Sequence, residues 1–319
     1  MNNTPRMHRH AAGSAGTLLL RTPRDFTFWR TAYSHGWCDL LPFSFDPSRR
    51  ELARVLELRD GSLVGCTLRS TSRGVRVTCA GPASLTPDQR KEVRLQLRSC
   101  LRLDEDFGPF HAAMRKIPAY RWMAHRRSGR LLRAPTLFED TVKMICTTNC
   151  SWHLTVVMVR TMVEKFGRKQ HGLSGFPLPS VIAATSEQEL RRECSTGYRA
   201  PALLALAERV ASGSLPLEEW RHSRLPTPEL YDALCGIRGV GPYAAGNLLK
   251  LIGRYEYLGL DSWVRKQWSK LHARGRAAKD RRIERHYEPF GAWRGLVFWL
   301  EMTQDWHEGA EGLQKKDQG

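Results

Sequence analysis

No C-x-x-C pair occurs in this sequence, and its eight cysteines (Cys38, Cys66, Cys79, Cys100, Cys146, Cys150, Cys194 and Cys235) form no close cluster toward the C-terminus. Such spacing argues against an iron–sulfur or zinc site, so no metal is expected and reduced thiols are the simpler reading. A run of 18 apolar residues and a lipidation signature are both missing, so a soluble, cytoplasmic protein without a membrane partner is expected. The apolar run Leu18-Leu19-Leu20 is too short for a signal peptide, and residues 1–24 read as a disordered basic tail. Residues 309–319 read as a second disordered tail, and internal repeats are lacking. Acidic residues are few beside basic ones: 32 against 50 gives a net charge of +18. That excess favours a polyanionic partner through counterion release, with nucleic acid the first candidate.

What is present divides the chain in two. From Asp25 to Leu103, extended runs at 52–58, 63–70 and 74–80 are separated by Arg59-Asp60-Gly61 and Ser72-Arg73-Gly74, the turn chemistry of antiparallel hairpins. Thr86-Pro87-Asp88 then opens a helix over 89–103. Beyond Asp104, helical periodicity predicts helices over 107–116, 136–148, 152–166, 186–194, 201–211, 228–235, 243–251, 261–272, 281–287 and 293–305. The expected class is α+β, with a small antiparallel β-sheet plus helix domain over 25–103 and a mainly α-helical domain over 104–308. The aromatic lead-in from Phe26 to Trp37 either packs on the sheet or reaches toward the second domain.

Between Arg115 and Arg133 seven basic residues, including Arg126 and Arg127, accompany Tyr120 and Trp122 with no acid. The pattern suits phosphate contact or a flexible loop. Residues 234–265 are the most informative. Gly239 and Gly241 flank Val240 between two helical patterns, so the backbone can take φ > 0 and bring amides to a phosphate oxygen. Asp261 sits at a predicted helix start, where a carboxylate caps.

The stretch Leu234-Cys235-Gly236-Ile237-Arg238-Gly239-Val240-Gly241-Pro242-Tyr243-Ala244-Ala245, followed by Leu258-Gly259-Leu260-Asp261-Ser262, resembles the helix-hairpin-helix and Gly/Pro-rich loop (HhH-GPD) of the DNA glycosylase superfamily. Arg133-Ala134-Pro135-Thr136-Leu137-Phe138-Glu139-Asp140 through Thr147-Thr148-Asn149-Cys150-Ser151-Trp152, and Gly197-Tyr198-Arg199-Ala200-Pro201, resemble matching regions of the 3-methyladenine and 8-oxoguanine DNA glycosylases. The resemblance covers about residues 104–300 and implies duplex DNA with a damaged base as partner, a nucleoid-associated location, and base flipping before N-glycosidic cleavage; a monomer is the plain expectation. It assigns catalysis to Asp261, whose capping role is compatible with that task.

Bifunctional relatives carry a lysine nucleophile where this chain has Tyr243, so the implied enzyme is a monofunctional hydrolase. Tyr243 either lines the base pocket or joins the core, and Trp37, Trp122, Phe298 and Trp299 are further pocket candidates. Asn149, Tyr198 and Arg199 match positions that fill the gap left by the flipped nucleotide; as alternatives, Asn149 ends a helix and Tyr198-Arg199 form a packed turn. An arginine of the 8-oxoguanine pattern is Leu154 here. Gly239 and Gly241 are expected to hold DNA backbone, and the hairpin carbonyls can hold a monovalent cation; no other cofactor is implied. Excision of alkylated purines is the leading reading, against an 8-oxoguanine-type glycosylase or a catalytically idle DNA-binding module.

Overall fold

The computed structural model describes residues 13–81 and 83–306; the expected tails at 1–12 and 309–319 lie outside them. Five strands, β1 (Ser14–Leu20), β2 (Phe43–Asp46), β3 (Glu51–Glu57), β4 (Leu63–Thr71) and β5 (Gly74–Ala80), form an antiparallel sheet in the order β1-β5-β4-β3-β2. The first strand corrects the expectation of a disordered segment through residue 24. Its side chains alternate, with Ala15, Leu18 and Leu20 buried and Leu19 outward, and it pairs along β5, whose edge would otherwise stand open. Helix α1 (Phe28–Ala32) packs Trp29 against Phe45 of the sheet, while α2 (Pro87–Cys100) starts at a capping box of Thr86 and Gln89.

The remaining helices follow in chain order: α3 (Gly108–Arg115), α4 (Arg121–His125), α5 (Leu137–Thr147), α6 (Trp152–Phe166), α7 (Pro179–Ala183), α8 (Glu187–Cys194), α9 (Ala200–Ala211), α10 (Thr227–Cys235), α11 (Pro242–Ile252), α12 (Ser262–His272), α13 (Asp280–Tyr287) and α14 (Arg294–Met302). A two-residue ladder, β6 (Lys169–Gln170) with β7 (Leu173–Ser174), follows α6. Among the described residues no helix is long and apolar enough to cross a membrane.

One apolar core runs through both halves, from Leu20 and Val77 of the sheet to Leu296 and Phe298 of α14. Buried ions cross the expected boundary near residue 103. Arg54 on β3 donates two hydrogen bonds to Glu139 on α5, at 2.7 and 2.6 Å, and Lys143 adds a contact at 2.7 Å. Burial alone would raise the Glu139 carboxyl; Arg54 and then Lys143 hold it below the usual carboxylate range. The basic run between 115 and 133 is in part structural, since Arg130 is buried against Asp25 and Arg133 against Glu105. The Arg130 pair with Asp25 and a bond from Arg133 Nε to the Ser99 carbonyl, at 3.0 Å, cross to the first half, and neither buried guanidinium is open to phosphate.

Candidate active site

Between α10 and α11 the chain turns through Gly236-Ile237-Arg238-Gly239-Val240-Gly241. Ile237 and Val240 are buried, and the Val240 N–H donates to the Ile237 carbonyl at 2.9 Å, closing the turn. Gly239 has φ +86°, and a Cβ there would lie 2.7 Å from Cβ of Ala202 on α9, so both backbone and neighbour require glycine. Gly241 departs from expectation: its φ is −93° and its ψ −173°, ordinary extended backbone. A Cβ on Gly241 would meet nothing within 4 Å, because the space beside it is open groove.

Helix α11 points its positive end at that groove. Gly241 accepts the Ala245 N–H at 2.9 Å without any side-chain cap, so the first-turn amides face outward. The opposite end is closed by Gly253 at φ +94° and by buried arginines, with Arg102 donating to the Lys250 carbonyl and Arg133 to the Leu251 carbonyl, each at 3.0 Å.

The same helix carries Asp261 into place. A Cβ on Gly246 would lie 2.9 Å from the backbone nitrogen of Gly259, so this glycine lets the connection after α11 press against the helix. Lys250 Nζ, fully buried, donates to the Leu258 carbonyl at 2.6 Å and to the Gly246 carbonyl and Asn247 Oδ1 at 3.2 Å, which pins that connection. Burial lowers the Lys250 amine to about 7, against the attraction of Asp261. Asp261 caps α12, its Oδ1 accepting the Val264 N–H at 2.8 Å, and remains half-buried at the junction of two cavities.

The first cavity is an open groove of about 1020 Å³ along the hairpin, lined by Gly239, Gly241, Asn149, Tyr198 and Arg199. The second is a pocket of about 750 Å³ walled by Trp37, Trp152, Trp263, Trp299 and Trp306. They share Thr147, Cys150, Tyr243 and Asp261. Burial, and then the Asp261 charge, push the Tyr243 phenol up to about 12, so its hydroxyl remains a donor. Trp37 is fixed by its indole N–H, which donates to Asp140 Oδ1 at 2.8 Å; Trp299 is fixed by its own, which donates to the Ser34 carbonyl at 2.9 Å. Asp39 lies in the pocket wall, its carboxyl raised by burial against a hydrogen bond from Trp152. His35 beside it is lowered to about 4 by burial and donates to the Leu132 carbonyl as a neutral ring.

Several expectations need correction. Phe298 is fully buried on the core side of α14 against Tyr287, at 5.2 Å between centroids, since one residue along a helix turns the side chain away from the face that Trp299 presents. Trp122 packs beside Arg126 and lines neither cavity. Arg126, the C-cap of α4, and Arg127 do not line the groove either. Arg199 is buried beneath Tyr198, 4.5 Å from its ring, and bonds the Thr148 carbonyl, which makes it a support for the exposed Tyr198. Asn149 does follow a helix end, at φ +47°, and stands exposed in the groove.

His35, Asp39, Trp152, Trp263 and Trp306 were not singled out from sequence. Trp152 is the last residue of the recognised block that includes Cys150, and Trp263 directly follows the Asp261 block; those positions are the available signal. The aromatic lead-in does both things considered for it, Trp29 packing on the sheet and Trp37 entering the pocket.

The fold, with Asp261 beside a hairpin groove, is similar to that of solved DNA glycosylases. Solved structures of similar fold include the 3-methyladenine DNA-glycosylase from Archaeoglobus fulgidus, with a TM-score of 0.70 at 21% identity over 91% of this chain and 98% of that one. MBOgg1 in complex with a low-affinity DNA ligand gives a TM-score of 0.67 at 19% identity over 93% and 96%. The apo 8-oxoguanine glycosylase/lyase of Clostridium acetobutylicum gives 0.65 at 19% over 90% and 95%. In sequence, the chain is 26% identical over 169 residues to YfjP of Bacillus subtilis strain 168, whose name assigns it provisionally to the DNA-3-methyladenine glycosylases. That match spans 51% of this chain and 58% of YfjP, less than two thirds of the relative's length. No family model matches the chain.

Proposed function

We propose that this protein is a monofunctional DNA glycosylase that hydrolyses the N-glycosidic bond of a damaged purine flipped out of duplex DNA, with alkylated purines preferred, at the start of base excision repair. The observation that carries the reading is the junction of groove and pocket at Asp261 and Tyr243. The hairpin amides suit a phosphate, and the exposed Tyr198 and Asn149 suit the gap left by a rotated nucleotide. A base entering the pocket meets indole faces and the carboxyl groups of Asp39 and Asp261. A purine made cationic by alkylation gains from both, and its charge draws the Asp39 carboxyl back toward ionisation; a neutral base gains only stacking.

Departure of the base leaves positive charge on the sugar, which Asp261 stabilises while orienting a water for attack. No amine stands at Tyr243. Lys250, the buried amine of the pocket wall, is engaged by three acceptors and is a positioning residue for the connection that bears Asp261. Water is therefore the nucleophile and an abasic site the product. A second reading, excision of 8-oxoguanine, draws on the exposed Asn149 beside Tyr198, whose hydroxyl donates to the Thr148 carbonyl at 3.3 Å.

The test is excision from duplexes carrying a single 7-methylguanine, 3-methyladenine, hypoxanthine or 8-oxoguanine, followed by alkali. Alkali-dependent breaks at the methylated bases are expected, with Asp261→Asn slowing release roughly 10²–10³-fold. Asp39→Asn should slow the cationic lesions more than the neutral ones. Strand breaks before alkali, or a borohydride-trapped adduct, would overturn hydrolysis by water; full activity of Asp261→Asn would remove that residue from the chemistry. Binding without base release would favour the idle module.

A further inference from the structure

At the other end of α12 from Asp261, roughly 16 Å along the helix axis, three side chains that the proposed glycosylase chemistry does not use converge: His272 of α12, His286 of α13 and Glu301 of α14. One ligating atom from each lies within 4.8 Å of the others. His272 Nε2 is 3.2 Å from Glu301 Oε1, yet it is buried without an aligned hydrogen bond. The two imidazole centroids are 4.4 Å apart, and the Tyr120 hydroxyl sits 3.2 Å from both His286 Nε2 and Glu301 Oε1. The Tyr287 hydroxyl donates to Glu301 Oε2, which orients the carboxylate.

We propose that His272, His286 and Glu301 form a divalent transition-metal site suited to zinc, with solvent in the fourth position. Two imidazoles and one carboxylate are a zinc donor set, and a tetrahedral ion with ligands at about 2.0–2.1 Å places them roughly 3.4 Å apart. Side-chain rotation of about an ångström closes the present spacing to that value. The carboxylate offsets one of the ion's charges, and the Tyr287 bond supplies the outer support that metal-bound carboxylates commonly have. An ion here would clamp the last turn of α12 to α14, the helices that carry Trp263 and Trp299 of the pocket, and so acts on the fold. The cysteine spacings, which led to an expectation of no metal, could not reveal a site built from histidines 14 residues apart and a glutamate on a third helix.

The site does not depend on the glycosylase reading. Full-length protein, stripped with a chelator and dialysed, is titrated with zinc chloride under calorimetry and with cobalt(II) chloride under visible spectroscopy. Expected are one zinc per chain, a melting temperature that rises with zinc concentration, and cobalt d–d bands of nitrogen and oxygen ligation. Affinity should fall at least about tenfold in His286→Ala and in Glu301→Gln. Absence of binding, binding untouched by both substitutions, or a thiolate charge-transfer band placing cobalt on the cysteines would each overturn the proposal. The wild-type titrations decide it even where a variant fails to fold.

Discussion

Lys250 shows how one side chain takes its meaning from its surroundings. In sequence it is an amine seven residues past Tyr243; in the fold its ammonium is buried and turned toward the Leu258 carbonyl. Its pKa is near 7 when folded and about 10.4 when unfolded, so between those values the unfolded chain binds more protons and stability rises with pH. Replacing it by methionine removes that dependence. Thermal melts of wild type and Lys250→Met at about pH 7 and pH 9.5 should show the difference in melting temperature moving in favour of the wild type at the higher pH; a constant difference would refute the buried-amine account. Phe298 and Trp299 make a related point. Both were apolar candidates on one helix, and only the rotation of α14 separates the core side chain from the pocket side chain.

At the scale of elements, the hairpin between α10 and α11 holds two glycines with different duties. Gly239 serves the fold and Gly241 serves the groove. Gly239→Ala, strained at φ +86° and pressed on Ala202, should destabilise by more than about 1 kcal/mol. Gly241→Ala should melt at the wild-type temperature or slightly above, since its backbone is ordinary, while losing DNA affinity because the methyl enters the groove. Thermal melts and fluorescence-anisotropy titration of a duplex separate the two; a DNA-neutral Gly241→Ala would mean that no backbone approaches there. Element positions were largely legible because caps and periodicity are local, as with Thr86 before α2 and Asp261 before α12. Strand β1 was not, since a short Leu run beside a basic segment has no partner in sequence and becomes a strand only when β5 offers an edge.

For the whole molecule, the sheet and the helices are joined by buried charge as well as by a continuous core. Glu139→Gln leaves Arg54 and Lys143 facing each other in a dry interior, and such a broken buried pair typically costs about 3–5 kcal/mol. The double variant Arg54→Met/Glu139→Leu should recover part of that loss in denaturant titration, and failure to recover any would show that packing around Phe43 matters more than charge. The sequence by itself determined the α+β order, the hairpin and the capping aspartate, because each is written in neighbouring residues, whereas the meaning of Tyr243 in place of a lysine comes from the resemblance. Tertiary structure alone decided which aromatic side chains form the pocket, that Asp39 and Lys250 stand in its wall, that Arg130, Arg133 and Arg199 are buried supports, and that His272, His286 and Glu301 meet. Those outcomes depend on the rotation and packing of helices far apart in the chain, which local pattern does not encode.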